Sequence, residues 1–273
     1  SSREFQAMAD RVKPGIIMYS EGMAVPKNMP GIVAGRVHDA LYLPPALNLN
    51  KFIKPDFAIF RVTQPGEGRF RREASVAFFN GYGTEINTMR PARPETMEDD
   101  LKHLGKTLKI LRENNSAFLT HDLIPLYPSF QDEISINCWP TTRKIIFTIF
   151  SLKPEGYKGP LIPVKEKPGF HAVSLWRQEE IKPGKFKDVP YLPVEIEAFA
   201  RHELETRMEG SLECLAIFPE LIEARRIEDR IIIKLNEKPA GGQLVLTAGN
   251  PDYDSNQIIL PLVDSNQIIL PLV

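Results

Sequence analysis

Ser75-Val76-Ala77-Phe78-Phe79-Asn80-Gly81-Tyr82-Gly83-Thr84-Glu85-Ile86-Asn87 is the stretch on which the fold turns. Residues 75–79 form a short continuous apolar run, the pattern of a strand buried on both faces. The run closes on Asn80-Gly81-Tyr82-Gly83, which has turn chemistry. The best helical pattern of the chain follows over residues 94–114, where Met97, Leu101, Leu104, Leu108 and Leu111 step by four and three. Pro94 suits the first helical turn, and Glu95, Glu98, Asp99 and Asp100 complement the positive end of the helix dipole. Strand, polar loop and helix together are half of a parallel βαβ unit.

The same alternation extends upstream. A helix over residues 2–12, with Phe5, Met8 and Val12 on one face, stops at Lys13-Pro14-Gly15. Ile16-Ile17-Met18-Tyr19 reads as a buried strand that ends in Ser20-Glu21-Gly22. Pro55-Asp56 opens a further strand over residues 57–62, preceded by a short helix around residues 47–53. A polar loop over residues 63–72 carries two glycines and three arginines. Three such strands are too few for a complete (β/α)8 barrel, which takes roughly 250 residues.

From residue 128 the texture changes. Ile134, Ile136 and Cys138 alternate, Thr141-Thr142-Arg143 is a turn, and residues 144–150 form a strand. Further β runs cover residues 171–176, 194–200, 212–218, 230–235, 243–247 and 258–263. Short strands at this spacing predict an antiparallel β-sandwich, and 24 prolines, nearly twice the usual ~5%, suit such a loop-rich fold. The fold class is therefore α/β plus all-β: a partial (β/α) barrel segment over residues 1–127, then a β-sandwich over 128–263. Residues 254–263 read DSNQIILPLV and are repeated letter for letter at 264–273, a period too short for a solenoid. The second copy is expected to be a duplicated tail outside the fold. The start, Ser1-Ser2-Arg3 without a methionine or signal-peptide pattern, reads as an excised or processed piece and gives no compartment.

Composition narrows the function. Hydrophobic residues make up 42% and charged residues 25%, the mix of an ordinary globular protein. With 34 basic and 35 acidic residues the net charge is -1, which disfavours a broad electrostatic grip on nucleic acid or anionic lipid. No apolar run approaches the ~20 residues that span a bilayer. The only cysteines, Cys138 and Cys214, exclude a disulfide scaffold and a cysteine zinc site, and two buried thiols are preferred over one bridge. The five histidines have no metal spacing, and no glycine-rich fingerprint for a dinucleotide or a phosphate exists. Neither a metal nor another cofactor is expected.

Glu21 is the first candidate for chemistry, because the end of a buried strand faces the catalytic mouth of an α/β barrel. Asn80, Tyr82 and Glu85 form a second polar group, in which the amide and the phenol offer directional hydrogen bonds to a sugar. Arg36, His38 and Asp39 are a third. Each has a plainer alternative: a capping glutamate, an ordinary Asn-Gly turn, a structural histidine. Glu21, Asn80 and Tyr82 are expected to line one cleft.

At this point a resemblance enters. Ala77-Phe78-Phe79-Asn80-Gly81-Tyr82-Gly83-Thr84-Glu85-Ile86-Asn87, running into the helix over 95–112, resembles the last βα unit of TIM-barrel glycoside hydrolases or glycosidase-like proteins. Residues 16–22 look like one of their late barrel strands. Ile134-Ser135-Ile136-Asn137-Cys138-Trp139-Pro140, residues 145–151 and Lys153-Pro154-Glu155-Gly156-Tyr157-Lys158-Gly159-Pro160 are similar to the β-sandwich that follows their barrel. The likeness covers most of the chain in layout and is specific over residues 75–165. It implies hydrolysis of O-glycosidic bonds by two carboxylates, ~5–5.5 Å apart for retention or ~6.5–9.5 Å for inversion. Glu21 is the carboxylate it transfers, with Glu85 as a weaker substitute, and Arg36, His38, Asn80 and Tyr82 become substrate contacts. The implied partners are a carbohydrate substrate and an upstream barrel segment or oligomer partner that completes the site. The alternative is a non-catalytic β-sandwich that binds carbohydrate through exposed Trp139, Trp176 or Tyr157, or serves a structural role. An esterase is disfavoured because no GxSxG elbow exists.

Overall fold

The structure is a computed structural model that describes residues 1–23, 26–36, 47–66, 70–88, 94–199, 210–237, 243–247, 257–261 and 267–271. It divides into two compact units, Ser1–Phe218 and Pro219–Val273.

The first unit opens with α1 (Ser2–Val12), which begins on a capping box. The Ser1 hydroxyl accepts the Glu4 backbone N–H at 3.4 Å, and the Glu4 carboxylate accepts from the Ser1 amine at 2.6 Å. Its apolar residues Phe5, Met8 and Val12 are exposed. Four strands follow: β1 (Tyr19–Met23), β2 (Ala34–Arg36), β3 (Ala58–Thr63) and β4 (Gly83–Ile86). They pair in parallel in the order β1-β2-β3-β4. Strands adjacent in sequence are adjacent in space, as in consecutive units of a barrel, whereas a doubly wound sheet reverses its order at a switch point. The described strands do not close into a barrel. The helices α2 (Asn50–Ile53), α3 (Phe70–Phe79), α4 (Pro94–Glu113) and α5 (Asn115–Phe118) lie between and after these strands.

Two expectations are corrected here. Residues 75–79 are not a strand but the second half of α3, and the strand of this unit is β4. Every residue of α3 except Arg71 is buried. A helix buried on all sides is apolar all round, so its periodicity cannot be told from that of a buried strand over five residues. The helix also reaches back into the supposed polar loop, because Arg61 of β3 forms an ion pair with Glu73 and lets this buried carboxylate sit inside a helix. The first strand begins at Tyr19 rather than Ile16, and Ile17 is exposed.

The antiparallel part of this unit has two sheets. The larger contains β5 (Ile134–Pro140), β6 (Ile145–Ser151), β8 (Phe170–Ser174), β9 (Glu179–Ile181) and β12 (Ser211–Pro219), in the order β5-β6-β12-β8-β9. The smaller contains β7 (Tyr157–Pro163), β10 (Gly184–Phe186) and β11 (Val189–Ile196), in the order β10-β11-β7. Ile136, Cys138, Phe147, Ile149 and Leu215 of the larger sheet pack with Leu161, Leu192, Val194 and Ile196 of the smaller. The opposite face of the larger sheet, with Trp139, Ile146, Phe150, Cys214 and Ala216, packs on Phe78, Phe79, Ile110 and Phe118 of the helices. Its central strands are thus buried on both faces, which explains why β6, Ile-Ile-Phe-Thr-Ile-Phe-Ser, is apolar on both faces up to Ser151, with Thr148 as its one interior polar residue, although its pairing is antiparallel. Cys138 and Cys214 are free thiols in different cores.

The helical layer and this sheet meet at the end of α3. The Phe79 carbonyl accepts the Thr148 hydroxyl at 2.7 Å and the Asn137 amide at 3.0 Å. The Trp139 indole in turn donates to Thr148 Oγ1 at 3.0 Å. These bonds satisfy a carbonyl that the helix itself leaves open. Gly81 has φ +70°, and a Cβ there would stand 2.6 Å from the Trp139 ring.

In the second unit, β13 (Ile222–Ile227), β14 (Arg230–Leu235) and β17 (Gln267–Pro271) form one sheet. The strands β15 (Gln243–Thr247) and β16 (Gln257–Pro261) form another. Ile233, Leu235 and Leu244 are its buried core. Both copies of the repeat supply a strand: the first copy pairs with β15 and the second with β14.

Candidate functional site

The parallel sheet has one face covered by α3 and one free of it. Ile59 of β3 packs with Ala77 of α3, and Arg61 pairs with Glu73 of the same helix. Residues two apart on a strand share a face, so Phe60 and Val62 point to the opposite side. Arg36 is in register with Phe60, and Glu85 with Val62. Both therefore lie on the helix-free face, near the C-terminal ends of β2 and β4. There the Arg36 guanidinium meets Glu85 Oε1 at 2.9 Å, with side-chain exposures of 23% and 43%. Tyr19 of β1 lies edge-on to Phe60, with ring centroids 6.4 Å apart, and extends the same face. An aromatic pair beside an accessible carboxylate and a guanidinium can stack on a sugar ring and bind its hydroxyls.

Glu21 belongs to β1 itself, in the stretch between Ser20 and Met23 where the register against β2 shifts. The extra residues place its backbone in a bulge, a feature that re-aims side chains at barrel rims. The Glu21 side chain lies outside the described residues, and so do His38 and Asp39.

Asn80 and Tyr82 do not join this group. They precede β4 and so lie at its N-terminal end, on the side of α3. Asn80 is 3% exposed, accepts the Asn48 backbone N–H at 2.7 Å and donates to the Val76 carbonyl at 2.9 Å. It ties the last turn of α3 to the approach of α2. Tyr82 is 5% exposed and packed with Met29, Phe57 and Ile59. Burial raises its phenol pKa far above the usual value, against the opposing pull of Arg61 and Asn48. Both side chains are buried at a helix-to-strand joint.

A second polar cluster escaped sequence reasoning. Glu213 of β12 is fully buried and accepts from the Ser174 hydroxyl at 2.9 Å and from the Cys214 backbone N–H at 2.8 Å. Arg177 Nε stands 3.5 Å from its other oxygen. Burial pushes its carboxyl up to about 7, although these donors, Arg177 and Lys106 oppose the shift. His103 of α4 contacts Ser75 Oγ at 3.2 Å and lies against Trp176. Burial, then Arg71 and Lys106, hold it down at about 4. The one available signal was a glutamate in the middle of the apolar run of β12. Among the described residues no group of three or more His, Cys, Asp or Glu is arranged to hold a metal ion, and no helix is long and apolar enough to cross a membrane.

No protein-family model and no curated protein matches the chain. Solved structures do. An α-amylase of Anoxybacillus is similar over 80% of this chain and 56% of its own, with a TM-score of 0.51 and 10% identity. A cyclomaltodextrinase is similar over 79% of this chain and 42% of its own, with a TM-score of 0.53 and 10% identity. An α-amylase of Geobacillus thermoleovorans, solved with acarbose, is similar over 78% of this chain and 56% of its own, with a TM-score of 0.51 and 10% identity. The chain spans about half the length of these proteins. Over about four fifths of its length, the chain thus shares the fold of part of these proteins.

Proposed function

We propose that this chain is part of a carbohydrate-active protein that hydrolyses O-glycosidic bonds, and that the helix-free face at the C-terminal strand ends is its share of the substrate site. The observation that carries this is the Arg36–Glu85 pair, held at the strand ends on the face away from α3. In barrels of this kind the chemistry sits at those ends, whereas the opposite ends serve stability. The fold likeness to α-amylases and a cyclomaltodextrinase makes α-linked glucan the first substrate class to test. In the mechanism, a protonated carboxyl gives its proton to the leaving glycosidic oxygen. A second, ionised carboxylate attacks the anomeric carbon or takes a proton from the attacking water. Glu21 is assigned to one of these roles, Glu85 is the weaker candidate for the other, and Arg36 orients Glu85 or a sugar hydroxyl. Further barrel strands, from a longer form of the protein or from a partner, complete the site. Trp139 is buried and Trp176 packs against Phe78 and His103, which supports this reading over a sugar-binding sandwich that presents its tryptophans.

The test is maltooligosaccharide hydrolysis by a barrel-complete form carrying Glu21→Gln. The expected result is a loss of turnover of at least about 100-fold with an unchanged unfolding midpoint. Unchanged turnover rules out Glu21 as acid or nucleophile. Absence of both hydrolysis and binding in the unmutated protein overturns the carbohydrate assignment.

A further inference from the structure

We propose that the open end of the sandwich in the first unit binds a free amphipathic carboxylate of the medium-chain fatty-acid type, in a cavity of its own. The cavity has a volume of about 450 Å³ and lies between the turn that joins β5 to β6 and the segment that leads from β7 into β8. That volume falls within the range of roughly 300–1,000 Å³ of small-molecule sites.

Its walls are apolar: Tyr127, Ile145, Phe147, Val164, Phe170 and Ile217 line it. Tyr127 packs edge-on against Phe147, with centroids 5.5 Å apart, and its hydroxyl is turned toward the Pro163 carbonyl at 3.4 Å. Cys138 also lines the cavity, and burial pushes its thiol up to about 12, so it is a neutral wall rather than a nucleophile. Of the two turn threonines that line it, Thr141 and Thr142, the first donates its hydroxyl to the Lys144 carbonyl at 2.9 Å and accepts the Lys144 N–H at 3.0 Å. A sugar, which needs several directional partners, is poorly served here, and an apolar chain is well served.

The rim carries the opposite character. Arg143, Lys165 and Lys167 stand around it with Glu166 as the one carboxylate of the lining. The Lys167 ammonium lies 3.6 Å from the centroid of the Phe170 ring, whereas the Lys144 ammonium is turned away to Asn114 Oδ1 at 2.9 Å. Lys167 is thereby held at the mouth, above an aromatic wall. Apolar walls below a cationic rim complement a molecule with one anionic head and one aliphatic tail. A free carboxylate fits better than a membrane surface because the apolar area is the inside of a cavity rather than an exposed patch.

Calorimetric titration of the whole chain with sodium decanoate below its micellar concentration tests this. The expected result is saturable binding at one site, at least about tenfold tighter than 1-decanol, which has the tail without the charge. Ile217→Trp, which fills the cavity, is expected to lower the affinity at least about tenfold. The pair Lys165→Glu and Lys167→Glu, both exposed, is expected to lower it severalfold without disturbing the fold, and it keeps the test open if Ile217→Trp does not fold. No saturable decanoate binding, equal affinity for decanoate and 1-decanol, or affinity unchanged in both variants overturns the proposal. Cosedimentation with anionic vesicles in place of decanoate binding overturns it as well.

Discussion

The Asn80-Gly81-Tyr82 turn and the Arg36–Glu85 pair lie at opposite ends of the same parallel sheet. In the amino-acid sequence they have one texture: polar groups and glycine next to an apolar run. In the fold they differ in every physical respect. The turn is buried, its amide is spent on the Asn48 N–H and the Val76 carbonyl, and its glycine is pressed against Trp139. The pair is accessible, sits at the C-terminal strand ends and faces away from the helices. Turn chemistry is thus a poor guide to function unless the direction of the adjoining strand is known. The same residues serve the mouth if they follow a strand and the base if they precede it.

The largest effect that would sharpen this contrast is expected at Gly81. Gly81→Ala adds a Cβ 2.6 Å from the Trp139 ring at φ +70°. A loss of about 3 kcal/mol in denaturant unfolding is expected, since overpacking and the left-handed backbone both act against it. In combination with Trp139→Phe the penalty should shrink, leaving a coupling of at least about 1 kcal/mol. A loss below about 0.5 kcal/mol would show that the joint is looser than the packing implies.

The seam between α4 and β12 offers a second test, this time through pH. The Glu213 carboxyl is pushed by burial up to about 7, above its ordinary 4.5. Its stabilising contribution is therefore complete below about 4.5 and is lost as pH rises through 7, a change of roughly 3 kcal/mol. His103 works in the other direction. Held down at about 4, below its ordinary 6.5, it destabilises the fold in acid, and this penalty lifts as pH rises to 6.5. The two nearly cancel over the shared interval, so the unmutated protein alone reveals little. The difference between Glu213→Gln and the unmutated protein isolates one of them. It should shift in favour of the variant by roughly 3 kcal/mol between pH 4.5 and 8. A difference that stays flat across this range would mean that Glu213 does not exchange its proton on unfolding.

Much of the architecture was legible because local and global signals agree. The stepping of Leu101, Leu104, Leu108 and Leu111 and the acidic first turn mark α4 within a residue of its ends. The strands at 145–151, 230–235 and 243–247 carry β-branched runs between turn signals. Four features were not legible, each for a physical reason. The helix α3 is buried all round and so loses the amphipathic period that separates helix from strand. The strands β10 and β11 meet in a two-residue turn at Lys187-Asp188, both with positive φ, where the usual glycine is absent. The direction in which Asn80 and Tyr82 meet the sheet, and so their burial, depends on that helix. Glu213 hides in an apolar strand because its partners, Ser174 and Arg177, come from elsewhere in the chain. Within the candidate site, Arg36 and Glu85 were legible as polar residues near strand ends, but their pairing across β3 was not, since it depends on register.

The most direct measurement is the urea-unfolding free energy of Asn80→Ala beside that of Glu85→Gln. If the turn is a structural joint and the pair an open site, Asn80→Ala should cost about 2 kcal/mol, through the buried hydrogen bonds it leaves unmade. Glu85→Gln should then change stability by less than about 0.5 kcal/mol, as expected for a half-exposed ion pair. Equal losses, or a larger loss at Glu85 than at Asn80, would contradict the division between the two ends of the sheet.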